Sequence, residues 1–128
     1  MIYLDGSAVL AHLFAEDRAL PRAAWRQPLA SSRLLEYEVW TRIHARQLGA
    51  SYVAAARAIL NLVNLIEMTP VVLARALEPF PISVRTLDAL HLASIQFVRA
   101  RHDDVQLASF DGRLLRAARA LQIPIYSG

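Results

Sequence analysis

Three aspartates of this chain stand where a carboxylate needs a partner. Asp88 lies in the stretch Val84 to Val98, read VRTLDALHLASIQFV, whose Leu87, Ala89, Leu90, Leu92, Ala93, Ile95, Phe97 and Val98 fall on nearly every side of a helix. Apolar residues all round are the pattern of a helix covered by protein, so Asp88 is expected at or under the surface. An ionised carboxylate leaving water costs on the order of several kcal/mol unless an arginine, backbone N–H groups or a metal ion meets it. A second reading stays open, in which Thr86 caps the helix and Asp88 sits in its first turn, where the dipole favours an acid. Asp5 ends the apolar run Ile2 to Leu4, and Asp111 follows the run Val105 to Ser109 one residue past Phe110. If both runs are neighbouring parallel strands, their acids leave the same sheet edge, and Asp88 belongs to the helix feeding the Asp111 strand. At about 4 Å and an effective dielectric near 20, each pair of such charges repels by about 4 kcal/mol, so the cluster needs protons or a cation. Oxygen ligands without sulfur point to magnesium or manganese. The competing account makes the strand-end acids ordinary turn residues and helix caps.

The elements that must position these acids alternate along the chain. Ile2 to Leu4 reads as a strand, Gly6-Ser7 as a turn, and Ala8 to Phe14 as a helix capped by Ser7. A short helical piece near Pro21 to Trp25 precedes a second strand at Pro28 to Ala30. Leu34 to Leu48, stopped by Gly49, and Ser51 to Asn64, capped by Ser51, are expected to form a helical hairpin. Leu65 to Met68 reads as a strand, and Pro70 opens a helix to about Leu77. The turn at Pro79 and Pro81 leads into the 84 to 98 helix. Val105 to Ser109 is the next strand, Gly112 to Leu121 a helix, and Ile123 to Tyr126 a last strand. Strands separated by helices imply an α/β fold with a parallel sheet covered on both faces and ligands at the carboxyl ends of its strands.

Composition narrows the chemistry. The 128 residues, 55% hydrophobic and 20% charged, make one globular domain, 1–128. Polar residues break the apolar region Tyr52 to Leu77, so no uncharged run of about 18 residues is left to span a bilayer. The start, MIYLDGS, lacks the basic region of a signal peptide, and a cytoplasmic protein is expected. With no cysteine there is no disulfide, thiolate catalysis or cysteine-ligated zinc. All 14 basic residues are arginine. Absence of lysine excludes a receiver domain, a haloacid-dehalogenase phosphatase and a Walker A loop, and no G-x-G-x-x-G run serves a dinucleotide. What remains is a carboxylate metal site without a phosphate cradle, which suits hydrolysis of a phosphodiester.

LDGS at Asp5 to Ser7, SSRLLEYEV around Glu38, RTLDALHLAS around Asp88 and LASFDGRLLRAAR around Asp111 together resemble PIN-domain ribonucleases, specifically VapC-type toxins of bacterial toxin-antitoxin pairs. The resemblance spans almost the whole chain and implies a PIN-like three-layer α/β/α fold with a parallel central sheet. It also implies an acidic site of Asp5, Glu38, Asp88 and Asp111, all four catalytic and metal-holding, with Ser7 and Ser109 as polar neighbours. The implied reaction is in-line attack on an RNA phosphodiester by a water that Mg²⁺, or Mn²⁺, activates. Asp5 and Asp88 would contact the metal most directly, and Glu38 and Asp111 would hold a second ion or its waters, one of them accepting the proton. A homodimer and a cognate antitoxin protein are the implied partners. Gly6, where the family often has threonine or serine, and Gln122, near which it often has glycine, depart from its pattern. Two other readings use the same acids: a catalytically weak PIN-like protein-binding module, and a structure-specific DNA nuclease.

Charge and helix geometry refine this picture. Net charge is +3, and setting the four site acids aside from the 11 leaves half as many acids as arginines, a surface that attracts a polyanion. Arg113, Arg116 and Arg119 follow Asp111 at helical spacing and suit phosphates, though such a row is also an ordinary solvated helix face. Glu36 and Glu38 lie 200° apart on one helix, so at most one faces the site. Leu34, Glu38, Thr41, Ala45 and Leu48 form a stripe expected to face the sheet. Glu36, with Arg33, Trp40, Ile43 and Gln47, falls on a mixed face that suits a subunit contact. His91, one turn after Asp88, reads more as a hydrogen-bonded core residue than as a ligand.

Overall fold

The computed structural model describes residues 1–128. Its four strands are β1 (Ile2–Leu4), β2 (Leu29–Ser32), β3 (Val63–Ile66) and β4 (Gln106–Ala108). Its α-helices are α1 (Gly6–Leu13), α2 (Leu34–Ala45), α3 (Gly49–Leu62), α4 (Pro70–Ala76), α5 (Thr86–Arg99) and α6 (Gly112–Ala120), with a 3₁₀ turn at Arg22–Arg26. All strand pairs are parallel, in the order β3-β2-β1-β4.

Alternation along β1 divides the core into two layers. Ile2 and Leu4 pack with Val9 of α1, with Leu35, Val39 and Ile43 of α2, and with Ala56, Ile59 and Leu60 of α3. Tyr3 faces the other way, onto Leu92, Ile95 and Val98 of α5 and onto Leu114, Ala117 and Ala118 of α6. The result is the three-layer α/β/α sandwich that the pattern of elements required. Strands β2 and β3 extend the sheet on one side of β1, and the chain then crosses to place β4 on the other. Between β1 and β4 the winding reverses, and ligands of open parallel sheets bind outside the carboxyl ends at such a point. Asp5 leaves β1 there and Ser109 leaves β4.

Several expected boundaries moved, each for a local reason. The α1 cap is Asp5, whose carboxylate accepts from Ala8 N, and Ser7 lies inside the helix. Arg85, extended at φ −86° and ψ 167°, is the N-cap of α5, so Thr86 is its first residue instead of its cap. Strand β3 begins at Val63 because Asn64 sits exposed on an edge strand, where a polar side chain costs nothing. The left-handed residue between α2 and α3 is Gln47, at φ 57°, while Gly49 is already helical. Ile123 to Tyr126 is no strand: it runs beside β4 with one bridge, Leu107 to Ile125, and two backbone hydrogen bonds. Pro124 has no N–H to extend that ladder. No helix is long and apolar enough to cross a membrane.

Candidate active site

The turns at the carboxyl ends of β1 and β4 are tied together by two serines and one buried carboxylate. Asp5, 4% exposed, accepts from Ser7 Oγ at 2.7 Å and Ala8 N at 3.1 Å through Oδ1, and from Ser109 Oγ at 2.8 Å through Oδ2. Ser7 Oγ in turn accepts from Phe110 N at 2.8 Å, and Ser109 Oγ accepts from Asp111 N at 2.9 Å. The serines thus do for Asp5 what a solvent shell would do. Burial raises its pKa, and the serine hydrogen bonds, the nearby His91 and Ala8 N oppose the rise without cancelling it.

The other three acids come from three further elements. Asp111 is the N-cap of α6, accepting from Arg113 N at 2.9 Å. Asp88, 8% exposed, stands in the first turn of α5, where Oδ2 accepts weakly from Arg85 N at 3.4 Å. The helix start therefore satisfies this acid in part, and its other oxygen has no protein donor within hydrogen-bond distance. Glu38 projects from α2 across the β1–α1 turn to His91, its Oε1 at 2.7 Å from Nε2. All four line one cleft of about 910 Å³, together with Ser7 and His91 and with Arg42, Arg85 and Arg113 at its rim.

His91 is a buried core residue that also belongs to this cleft. Its Nδ1 lies 2.8 Å from the hydroxyl of Tyr3, which is fully buried and accepts from Ser32 N at 3.1 Å. Burial keeps the Tyr3 phenol far above its usual pKa and therefore neutral. For His91, burial lowers the pKa, but the hydrogen bond and charge of Glu38, with Asp5 and Asp88, outweigh it and the net direction is up.

A divalent ion is the group this cleft would hold. The donors are carboxylate oxygens with no sulfur, the set that hard cations such as Mg²⁺ prefer. No three of the Asp, Glu and His side chains stand together as a ready cage, because Asp5 is held by its serines and Glu38 by His91. Mg²⁺ is commonly held by one or two carboxylates with waters and substrate phosphate completing its shell, so the arrangement fits that ion.

The four acids expected from the sequence line one cleft, but their surroundings are rotated from the expected arrangement. The face of α2 turned to the core is Leu35, Val39 and Ile43. The Leu34, Glu38, Thr41 and Ala45 stripe lines the cleft instead of facing the sheet. Ile43 is wholly buried, and Trp40 is partly buried against the core. Glu36 is paired with Arg33, as expected, at 2.9 Å. Of the three α6 arginines only Arg113 reaches the cleft. Sequence reading missed Arg42 and Arg85, although each stands one helical turn from a site acid. It also missed Tyr3, which nothing in an apolar strand distinguishes.

Comparison with known proteins agrees with this architecture. The family model of the PIN domain matches residues 2–120. Ribonuclease VapC46 of Mycobacterium tuberculosis is 36% identical over 127 residues, covering 97% of this chain and 95% of that protein. The chain belongs to the PIN domain family.

Proposed function

We propose that this PIN-domain protein is an endoribonuclease toxin of the VapC type, hydrolysing RNA phosphodiesters with the help of Mg²⁺ or Mn²⁺ and held inactive by a cognate antitoxin. The observation that carries this reading is the convergence of Asp5, Glu38, Asp88 and Asp111, from four elements, on one cleft rimmed by Arg42, Arg85 and Arg113. Carboxylate oxygens turned to one cleft are donors that a hard cation takes, and the arginine rim suits a polyanionic substrate. The likeness to a protein named a ribonuclease supports RNA as that polyanion.

When bound, the divalent ion supplies Lewis acidity and neutralises charge on the phosphate. Asp5 and Asp88 would be its direct holders, and Glu38 and Asp111 would hold a second ion or the surrounding waters. One of the latter pair takes the proton of the attacking water as the phosphorus–oxygen bond to the leaving nucleotide breaks. Arg42, Arg85 and Arg113 grip phosphates on either side of the scissile bond. A cytoplasmic setting, where RNA is met, and a homodimer complete the reading. Val71, Leu77 and Leu87, 67%, 89% and 48% exposed, are apolar side chains that a protein partner would cover.

The test is purified protein with Mg²⁺ against total bacterial RNA, followed by mapping of the cut ends. Cleavage is expected to stop in EDTA, to return with Mg²⁺ or Mn²⁺, and to return poorly with Zn²⁺, which prefers nitrogen and sulfur ligands. Asp88→Asn is expected to abolish cleavage without lowering the melting temperature, since it removes a buried charge and keeps an acceptor for Arg85 N. Full activity in EDTA, or cleavage of DNA alone, would refute the proposal.

A further inference from the structure

We infer that His91 and Tyr3 are positioning residues for Glu38, joined in a buried hydrogen-bonded chain that fixes where that carboxylate stands in the cleft. The inference rests on the ribonuclease reading for its chemical meaning, but the chain itself is a matter of geometry. Four elements contribute one residue each: Ser32 at the end of β2, Tyr3 in β1, His91 in α5 and Glu38 in α2. Ser32 N donates to Tyr3 Oη at 3.1 Å, Tyr3 Oη meets His91 Nδ1 at 2.8 Å, and His91 Nε2 meets Glu38 Oε1 at 2.7 Å. Tyr3 and Ser32 are fully buried and His91 is 2% exposed, so water does not compete for the Ser32–Tyr3–His91 bonds, and only the Glu38 end meets the cleft.

Proton accounting gives the chain a direction. A backbone N–H only donates, so Tyr3 Oη is an acceptor toward Ser32 and has its own proton for a neutral His91 Nδ1. The remaining proton of a neutral ring is then on Nε2, aimed at Glu38. In a protonated ring both nitrogens donate, Nδ1 to Tyr3 Oη and again Nε2 to Glu38. Either state of His91 presents the same donor to the same carboxylate oxygen.

Two further features restrict Glu38 to this position. Ser32 Oγ accepts from Leu34 N at 3.1 Å, so the residue that orients Tyr3 also fastens the start of the helix carrying Glu38. A Cβ at residue 6 would come within 3.0 Å of Glu38 Cδ and 3.1 Å of its Oε2, so glycine there leaves room for the side chain to lie across the β1–α1 turn. The same space explains why the glycine at position 6 suits this chain's arrangement of Glu38.

Residues that orient a metal-site carboxylate typically change activity or metal affinity by about 10–100-fold when lost. The expectation for His91→Leu is a fall of about that size in kcat for RNA, with KM within about twofold of wild type. His91→Gln, which can still offer an N–H near the Nε2 position, is expected to recover most of kcat, and Tyr3→Phe to fall between. A core-filling histidine would give the opposite order, with the apolar leucine tolerated better than glutamine. Crystal structures of wild type and His91→Leu supply a readout independent of catalysis: Glu38 is expected to leave its wild-type position in the variant. Glu38 unmoved in His91→Leu, or leucine more active than glutamine, would overturn the inference while leaving the ribonuclease reading intact. Wild-type protein that cuts no RNA, with Glu38 still displaced in His91→Leu, would retire the ribonuclease reading and keep this one.

Discussion

Glu36 and Glu38 are two residues apart on one helix, and each meets a basic partner at short range, yet their surroundings differ. Glu36 shares Arg33 with Glu67 in a fork of contacts at 2.8 to 3.1 Å, the three side chains being 36%, 38% and 61% exposed for Arg33, Glu36 and Glu67. Glu38 meets His91 at 2.7 Å, with side chains only 20% and 3% exposed. Distance alone would rate the two clusters alike. Solvent decides between them, because water and salt screen the exposed fork and already solvate its charges, whereas His91 has exchanged its water for Tyr3 and Glu38. The exposed fork is a surface device, and the buried chain is a constraint on the site.

Replacing the two glutamates in turn tests that contrast where the effect is largest. Glu38→Gln keeps an oxygen for His91 but loses the charge, and single-turnover cleavage is expected to fall by more than about 100-fold with the fold retained. Glu36→Gln is expected to leave cleavage nearly intact. A dead Glu36→Gln beside an active Glu38→Gln would reverse the assignment of the two faces of α2.

A second test separates the core face of α2 from its cleft face by stability. Ile43 is fully buried, so Ile43→Ala is expected to cost about 2–5 kcal/mol in urea unfolding. Thr41 is exposed at the cleft, and Thr41→Ala is expected within about 0.5 kcal/mol of wild type. Similar losses from both would mean that the helix is rotated relative to the sheet.

The smallest effect belongs to Glu67. Its hydrogen bonds and charge interaction with Arg33 lower its pKa in the folded protein, so whatever the pair adds is present above the unfolded carboxylate range and fades as pH falls through the lowered value. Glu67→Gln is expected to shift the melting temperature barely at pH 7 and still less once the pH has fallen through that lowered value. A clear loss at pH 7 that persists in high salt would show that the exposed fork matters more than its solvation allows.

Local chemistry was legible in the sequence. Apolar runs ending in Asp5 and near Asp111, with turn residues after each, are strands followed by helices because the acid itself can cap the next helix, and both acids do so. The stretch around Asp88 betrayed a buried helix, and 200° of separation correctly set Glu36 apart from Glu38. These are short-range rules, in which a residue's neighbours within a turn or a strand fix its options. Tertiary structure decided what such rules leave degenerate. Whether the apolar residues of α2 or the stripe holding Glu38 faced the sheet depended on how α2 packs against β1 and α3, and the more apolar Leu35, Val39 and Ile43 took the core because burying them gains more than burying threonine and alanine. The pairing of Tyr3 with His91, 88 residues away, and of His91 with Glu38, 53 residues away, was invisible in the chain. Hydrogen bonds between distant residues exist only once the layers of the sandwich have closed and removed the water that would otherwise serve each group.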